Sequence, residues 1–489
     1  MTNSTTATFN LFSFSGKMKT LHLTWIAFFI TFVVWFNMAP MLQAIGDTFG
    51  LTKPQIKSLL VLNVSMAIPA RIIVGMLTDR FGPRRVYSGL LFLAAFPCFA
   101  FAFAQTYAQL AIARFALGFI GAGFVIGIRM VSEWFPHNEL GTAEGIYGGW
   151  GNFGSAAAAF TLPSIALIFG GPEGWRWAIA ATGAICLLYS VVYYLSAQDV
   201  PEGSHYFKPK STGSMMVTSK GDLALLIAMK VPLYVALGLL AWNLTKVGLL
   251  TPQTEFTLWG LLAALFAFDA GNTVRANWPE LARGVPQVHQ YKFRQVAVLN
   301  ILYFATFGSE LAVVSMLPLF FATTFGLSPV AAGMVASAYA FMNLMSRPGG
   351  GWISDRFGRK STLIVLTMGL AVGYFAMSLV GETWPLWLAV VVAMSCSFFV
   401  QAGEGAVFAV VPLIKRSQTG AIAGMTGAYG NVGAVIYLIV YALVPPSTFF
   451  LVIAATAVLG LITLLALENP AGEIAEIAED GTVQMIPVG

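Results

Sequence analysis

The stretch "PARIIVGMLTDRFGPRR" (69–85) returns later in the chain as "MSRPGGGWISDRFGRKS" (345–361). Arg71 to Arg347 and Asp79 to Asp355 are both steps of 276, and so is Phe49 to Phe325 in "FGLT" (49–52) and "FGLS" (325–328). Three anchors in one register, without a gap, make this an internal repeat. A second pair follows in "EGIYGGWGNFGSA" (144–156) and "AGMTGAYGNVGAV" (423–435), where Gly145, Gly148, Gly151 and Gly154 answer Gly424, Gly427, Gly430 and Gly433. Asn152 and Asn431 each follow the third glycine. The chain is therefore expected to form two like halves.

Composition decides which solvent surrounds these motifs. Of 489 residues, 57% are hydrophobic and 10% charged, whereas a soluble domain carries roughly 25% charged residues. The chain belongs with polytopic membrane proteins; disordered, collagenous and nucleic-acid-binding classes are excluded on the same ground. Its formal net charge of +5 then reads as a distribution between two sides of a bilayer. Cys98, Cys186 and Cys396 sit far apart in apolar runs, so neither a disulfide framework nor a metal set is expected. The first twenty residues lack an apolar core followed by a cleavage site, and 22–44 is expected to be a retained span.

A spanning helix needs about 20 mostly apolar residues. Such runs fall near 22–44, 56–78, 86–105, 110–134, 142–169 and 175–197, then near 296–323, 329–353, 361–380, 386–412, 418–443 and 447–467. The expected architecture is all-α, with six-helix halves at 22–197 and 296–467, a linker at 198–295, an N-terminal segment at 1–21 and an acidic tail at 468–489. Two further apolar runs, 223–242 and 256–270, predict a membrane-inserted hairpin within the linker; a pair of interfacial helices is the rival reading. Lys17 and Lys19, Arg80, Arg84 and Arg85, Lys208, Lys210 and Lys220, Arg356, Arg359 and Lys360, and Lys415 and Arg416 all fall on one side of this arrangement. The positive-inside rule makes that side, and both termini, cytoplasmic.

Arg71 lies eight residues from Asp79, about 12 Å along a helix, which puts it at mid-membrane depth. An arginine there costs at least about 2.5–3.5 kcal/mol on insertion scales, and such residues usually line polar paths. Halves related by an axis along the membrane normal are a transporter plan with the substrate site between them. Arg71 and Arg347 would then face each other across a central cavity. Neither has an acidic residue within one turn of its own helix, so an anionic substrate is expected, gripped by planar paired donors. A salt bridge to another helix is the competing reading. The glycine rows make stripes without side chains, suited equally to close helix packing and to a ligand. The buried amides of Asn152 and Asn431 fit packing less well.

The two "G-x-x-x-D-R-x-G-x-[RK]" loops (75–84 and 351–360) resemble the signature of the major facilitator superfamily, and "GGWGNFG" and "GAYGNVG" resemble the paired signatures of its nitrate/nitrite porter (NarK-like) family. The resemblance covers both halves but not 223–270. It implies that Arg71 and Arg347 bind the anion, with Asn152, Asn431, Gly151 and Gly430 beside it. Phe124, Tyr303 and Phe307 would clamp a flat substrate. Glu310 and Glu404 depart from the plainest exchangers of the family and match its proton-coupled members, so they are candidates for proton coupling, Glu310 first. An ion pair with a helix arginine is their rival reading. Asp79 with Arg80, Asp355 with Arg356, and the i, i+4 pair Arg129/Glu133 are expected to gate.

The expectation is a nitrate transporter, with nitrite as a second substrate, driven by proton symport across a bacterial-type inner membrane. Two protons per anion would make uptake electrically downhill. Nitrate/nitrite exchange is the alternative, followed by an organic-anion carrier of the same fold. No enzyme is expected, nor a cofactor or metal, since His22, His137, His205 and His289 are scattered without ligand spacing. A channel would want a ring from several subunits, whereas here one chain holds both arginines, so a monomer suffices.

Overall fold

The computed structural model of the chain describes residues 10–170, 173–208, 214–246, 248–286, 290–327, 329–469, 473–477 and 483–487. Lys210, Ser328, residues 1–9 and the remainder of the tail lie outside the described residues. Nineteen α-helices are found among the described residues. The first ten are α1 (Gly16–Phe36), α2 (Leu42–Phe49), α3 (Lys53–Ser65), α4 (Ala67–Phe81), α5 (Pro83–Ala102), α6 (Tyr107–Leu117), α7 (Gly123–Trp134), α8 (His137–Asn152), α9 (Gly154–Phe169) and α10 (Gly174–Ser196). Between the halves stand α11 (Lys220–Lys246) and α12 (Pro252–Arg283). The rest are α13 (Phe293–Phe325), α14 (Pro329–Phe341), α15 (Asn343–Phe357), α16 (Arg359–Ser378), α17 (Leu386–Phe408), α18 (Thr419–Leu443) and α19 (Pro446–Leu464). The tail adds a two-stranded antiparallel ladder, β1 (Glu473–Ile477) and β2 (Val483–Pro487).

The repeat is written into the backbone. The helical ladder breaks at Met66, between α3 and α4, and again at Met342, between α14 and α15; these positions are 276 apart. Arg71 and Arg347 each sit five residues beyond the break. Both helices then end at a glycine with positive φ, Gly82 at 85° and Gly358 at 95°. A side chain at either would be strained, so the "DRFG" glycine terminates the helix and turns the chain.

Among the described residues, twelve helices are long and apolar enough to cross a membrane, α11 and α12 included. The segments expected to span at 142–169 and 329–353 are each divided in two: α8 and α9 meet at Phe153, α14 and α15 at Met342, and each piece has 13 to 16 residues. Gly151 and Gly154 flank the break at Phe153, and the helix that follows Met342 contains Pro348; glycine and proline are ordinary causes of kinks. The breaks touch across the halves, with Phe153 edge-on to Phe341 at 6.1 Å.

Packing pairs each glycine helix with the arginine helix of the opposite half: α8 lies on α15 and α18 on α4. A Cβ on Gly145 would meet the Arg347 carbonyl oxygen at 2.6 Å, and one on Gly424 would collide with the Arg71 carbonyl. Gly351 abuts Gly141, and Gly75 abuts Gly420, backbone to backbone. The glycine stripes therefore serve close packing between the halves.

Lys230 in α11 is held by Asp269 of α12 at 2.7 Å and by Thr273 at 2.6 Å, which accounts for a lysine in so apolar a helix. The hairpin is fixed to α18 by a bond from the Tyr429 hydroxyl to the Met229 carbonyl (2.7 Å). The segment before α11 is clamped by paired bonds between the Met216 backbone and the Gln418 amide, 2.7 and 3.1 Å. After the end of α19, Lys292 and Arg294 grip Glu468 at 2.6 and 2.8 Å; the hydrogen bond from Lys292, with the positive charge of both, holds its carboxyl below the usual range.

Candidate functional site

Arg71 is buried, and its Nε donates to the Gly121 carbonyl (3.1 Å) and its Nη1 to the Gly427 carbonyl (2.8 Å). Gly427 belongs to the glycine row of α18, so the absence of a side chain is what lets the guanidinium reach that backbone. The guanidinium also lies 5.0 Å from the Phe307 ring, 5.7 Å from Phe124 and 5.9 Å from Trp35. Stacking on ring faces and bonding carbonyls are the usual ways to keep a buried cation.

Arg347 is arranged differently. Its Nη1 lies 2.5 Å from Glu404 Oε2 and its Nη2 donates to the Tyr303 hydroxyl at 3.0 Å. Its guanidinium stands 4.9 Å from the Phe124 ring. The expectation of a second cation without an acidic partner is thus corrected. Glu404 comes from α17, 57 residues away, beyond the reach of any local pattern. Arg71 and Arg347 flank one ring, Phe124, and are near enough to repel each other.

Phe124 and Tyr303 are parallel, with centroids 6.4 Å apart and planes 4° from each other. Phe307 stacks on Tyr303 at 5.1 Å, the i, i+4 spacing putting both on one helix face. Phe408, which the sequence did not mark out among so many phenylalanines, stands edge-on to Phe124 at 4.5 Å and to Tyr303 at 4.8 Å. Gly430 faces Tyr303 and Phe307, where a Cβ would come within 2.8 Å of both rings; Gly151 faces Phe28 in the same manner.

Glu310 is buried three residues beyond Phe307 on α13. Its Oε1 accepts from Asn343 at 2.5 Å and from Gln401 at 3.4 Å, and its Oε2 has no partner among the described residues. The two glutamates are close enough to act on each other, but Glu404 is the one on the arginine. Of the two candidates, Glu404 meets Arg347, and Glu310 meets Asn343 and Gln401. Asn431 donates to the Gly427 carbonyl at 3.2 Å; the amide oxygens of Asn152 and Asn431 are buried without partners among the described residues.

At the end of the bundle that carries the basic loops, two latches join the halves. Asp79 accepts from the backbone amides of Gly420 and Ala421, both at 2.8 Å, the otherwise unbonded donors of the first turn of α18. Asp355 accepts from Gly141 (2.9 Å), Thr142 (2.6 Å) and the Thr142 hydroxyl (2.8 Å) at the beginning of α8. The arginines next in sequence do not serve these carboxylates. Arg80 and Arg356 are exposed and lie over Phe81 and Trp352, because one step along a helix turns a side chain about 100° away. The partners are Arg129, 3.8 Å from Asp79, and Arg359, which pairs with Asp355 and donates to the His137 carbonyl. Arg129 also makes the expected pair with Glu133 (2.8 Å), whose other oxygen accepts from Arg416 across the halves at 3.1 Å.

Residues 24–281 and 299–487 match the family described as the Major Facilitator Superfamily. The chain is 48% identical to a nitrate/nitrite transporter NrtP of a Picosynechococcus species, over 96% of this chain and 97% of that one. It is 46% identical to NrtP of Nostoc punctiforme, over 96% of each. The crystal structure of the E. coli fucose:proton symporter FucP has the same fold, with a TM-score of 0.62 at 12% identity, covering 92% of this chain and 99% of that one.

Proposed function

The chain belongs to the nitrate/nitrite porters of the major facilitator superfamily, and on that footing we propose that it takes up nitrate, and nitrite as a second substrate, by proton symport. The observation that carries this reading is the pairing of Arg347 with Glu404 beside Arg71, all three against the Phe124–Tyr303 layer. Two arginines and the carboxylates Glu404 and Glu310 sum formally to zero. An arriving nitrate unbalances that sum by one negative charge, and a proton on Glu404 restores it while releasing Arg347 to the anion. Binding of anion and proton is thereby coupled at a single guanidinium. Nitrite presents the same planar oxygens.

In this reading Arg71 and Arg347 hold the anion through paired donors, Phe124, Tyr303, Phe307 and Phe408 enclose its flat faces, and Asn152 and Asn431 offer amides at its rim. Gly151 and Gly430 leave room for the rings. Residues 22–197 and 296–467 are the rocking bodies and 198–295 the connection between them. The latches of Asp79 and Asp355 lie on the basic side, which we take as the cytoplasm of a cell with the protein in its inner membrane. The conformation described is then closed to the cytoplasm. Moving a monovalent anion inward against an inside-negative potential costs about 2.3 kcal/mol per 100 mV, so a second proton makes the cycle downhill.

Nitrate uptake into proteoliposomes tests this. An imposed inward proton gradient should drive accumulation in the wild type and fail to do so in Glu404→Gln. Uptake that ignores the gradient and requires nitrite inside would replace symport by exchange.

A further inference from the structure

Glu144 is a buried carboxylate that neither the anion site nor the latches use. It lies on α8, within the seam against α15, 2% exposed, and both its oxygens lack hydrogen-bond partners among the described residues. Its place in the row is informative. Gly141 and Thr142, one turn before it, hold Asp355, while Gly145 and Gly148 after it pack on the backbone and side chain of Arg347. Glu144 is therefore positioned between the anion site and the latch.

The duplicate position argues against a packing role. The offset of 279 that takes Gly145 to Gly424 takes Glu144 to Ala423, which is fully buried in the matching seam of α18 on α4. An alanine suffices there, so the geometry of the seam does not require a carboxylate.

The charged groups around it come from each neighbour of α8. Arg347 and Asp355 on α15 and Arg359 at the start of α16 are near enough to act on Glu144. On α17 the nearest charged group is Glu404, engaged with Arg347, and on α7 Arg129 and Glu133 are engaged with each other. At the start of α1, Lys17 is taken by Glu139 of α8 itself at 2.5 Å; His22 bonds the Leu11 carbonyl, and Lys19 lies one turn from the end. No group on these elements gives Glu144 the hydrogen bonds an ionised carboxylate needs in a dry seam.

We propose that Glu144 is the second proton carrier of the transport cycle, loaded from the anion cavity beside Arg347 and emptied toward the basic side when α8 and α15 part. This rests on the symport reading. With the Asp355 latch shut, the acid is neutral, the form that costs least in a seam without partners. When Asp355 leaves Gly141 and Thr142, the seam opens to water and Glu144 gives its proton to that water. The carboxylate left behind faces Arg347 and Arg359, both of which have by then lost the nitrate or the latch contact.

The test is the number of protons moved per nitrate in proteoliposomes, read from an entrapped pH dye and labelled nitrate together, alongside nitrate counterflow without a gradient. Wild type is expected to move two protons per nitrate. Glu144→Gln, and Glu144→Ala, which copies the duplicate seam, are expected to move one, with counterflow within about threefold of wild type. An unchanged ratio in either variant that still transports overturns the proposal. So does loss of counterflow in both variants, which would make Glu144 a structural or anion-positioning group. A wild type that moves no protons with nitrate removes the symport reading itself, and that outcome is read before any variant is made.

Discussion

Glu404 Oε2 lies 2.5 Å from Arg347 Nη1, whereas the bonds of Arg71 run to the carbonyls of Gly121 and Gly427. The two arginines of the repeat are thus held by different means, one by a group that can be neutralised and one by groups that cannot. On the proposed symport reading, Arg71 is the fixed cation and Arg347 is freed when its carboxylate is protonated or displaced.

Removing the carboxylate should expose that dependence. Breaking a buried ion pair from one side costs about 3–5 kcal/mol, so Glu404→Gln is expected to melt earlier than wild type in nitrate-free detergent. Nitrate should restore more of the loss than it adds to wild type, because the anion takes the place of the carboxylate. Thermal unfolding with and without nitrate checks this. Equal nitrate shifts in the two proteins would mean that the anion does not occupy that position.

Lysine substitution separates charge from geometry. Arg71→Lys keeps the charge but loses the fork that spans Gly121 and Gly427, and Arg347→Lys loses the planar pair of nitrogens that reach Glu404 and Tyr303 separately. Both are expected to lose at least about tenfold in nitrate uptake, equivalent to roughly 1.4 kcal/mol, while reaching the membrane in normal amount. Wild-type uptake by either would remove that arginine from the anion site.

Three consecutive glycines give a sharper contrast. A methyl group on Gly349 meets nothing within 4 Å, one on Gly350 collides with the Ala402 backbone, and one on Gly351 collides with Gly141 across the seam. Gly349→Ala should transport within about twofold of wild type, the usual range for an open position. Gly350→Ala and Gly351→Ala should fall by at least about tenfold, since overpacked backbone contacts cannot relax by moving a side chain. Uptake measured side by side decides it.

The latch assignments differ from those suggested by adjacency in sequence. Asp355→Asn and Arg359→Gln are expected to shift the protein toward the state open on the basic side, while Arg356→Gln leaves the equilibrium unchanged. Ser346, fully buried next to Arg347, can report this as Ser346→Cys. Labelling by an impermeant thiol reagent from the basic side should quicken several-fold in the first two and match the parent in the third. No change in the first two would show that Asp355 does not hold that end shut.

The sequence made some of this legible and not the rest, for a consistent reason. Arg71, Arg347, Asp79 and Asp355 could be found because duplication marks them twice at one offset. The ring set is legible only as far as the resemblance reaches; Phe408 lacks a duplicate signal and is one of 39 phenylalanines. Partners were the weak point. Arg347 with Glu404, Arg359 with the His137 carbonyl and Arg416 with Glu133 join helices remote along the chain, and neither periodicity nor hydropathy carries that information. The hairpin keeps two readings in the sequence because Lys230 and Pro232 interrupt its apolar run, and the partner of the lysine, Asp269, lies 39 residues on.

The interlocking of Gly75 with Gly420 and of Gly351 with Gly141 has a bearing on descent. Each contact is the image of the other under the exchange of halves, so a chain of half this length could have assembled with an identical copy through one self-complementary surface. Fusion of two such genes would have freed the copies to diverge. The places where they now disagree, Glu144 against Ala423 and a carboxylate on Arg347 but not on Arg71, are ones that no symmetric ancestor could have possessed.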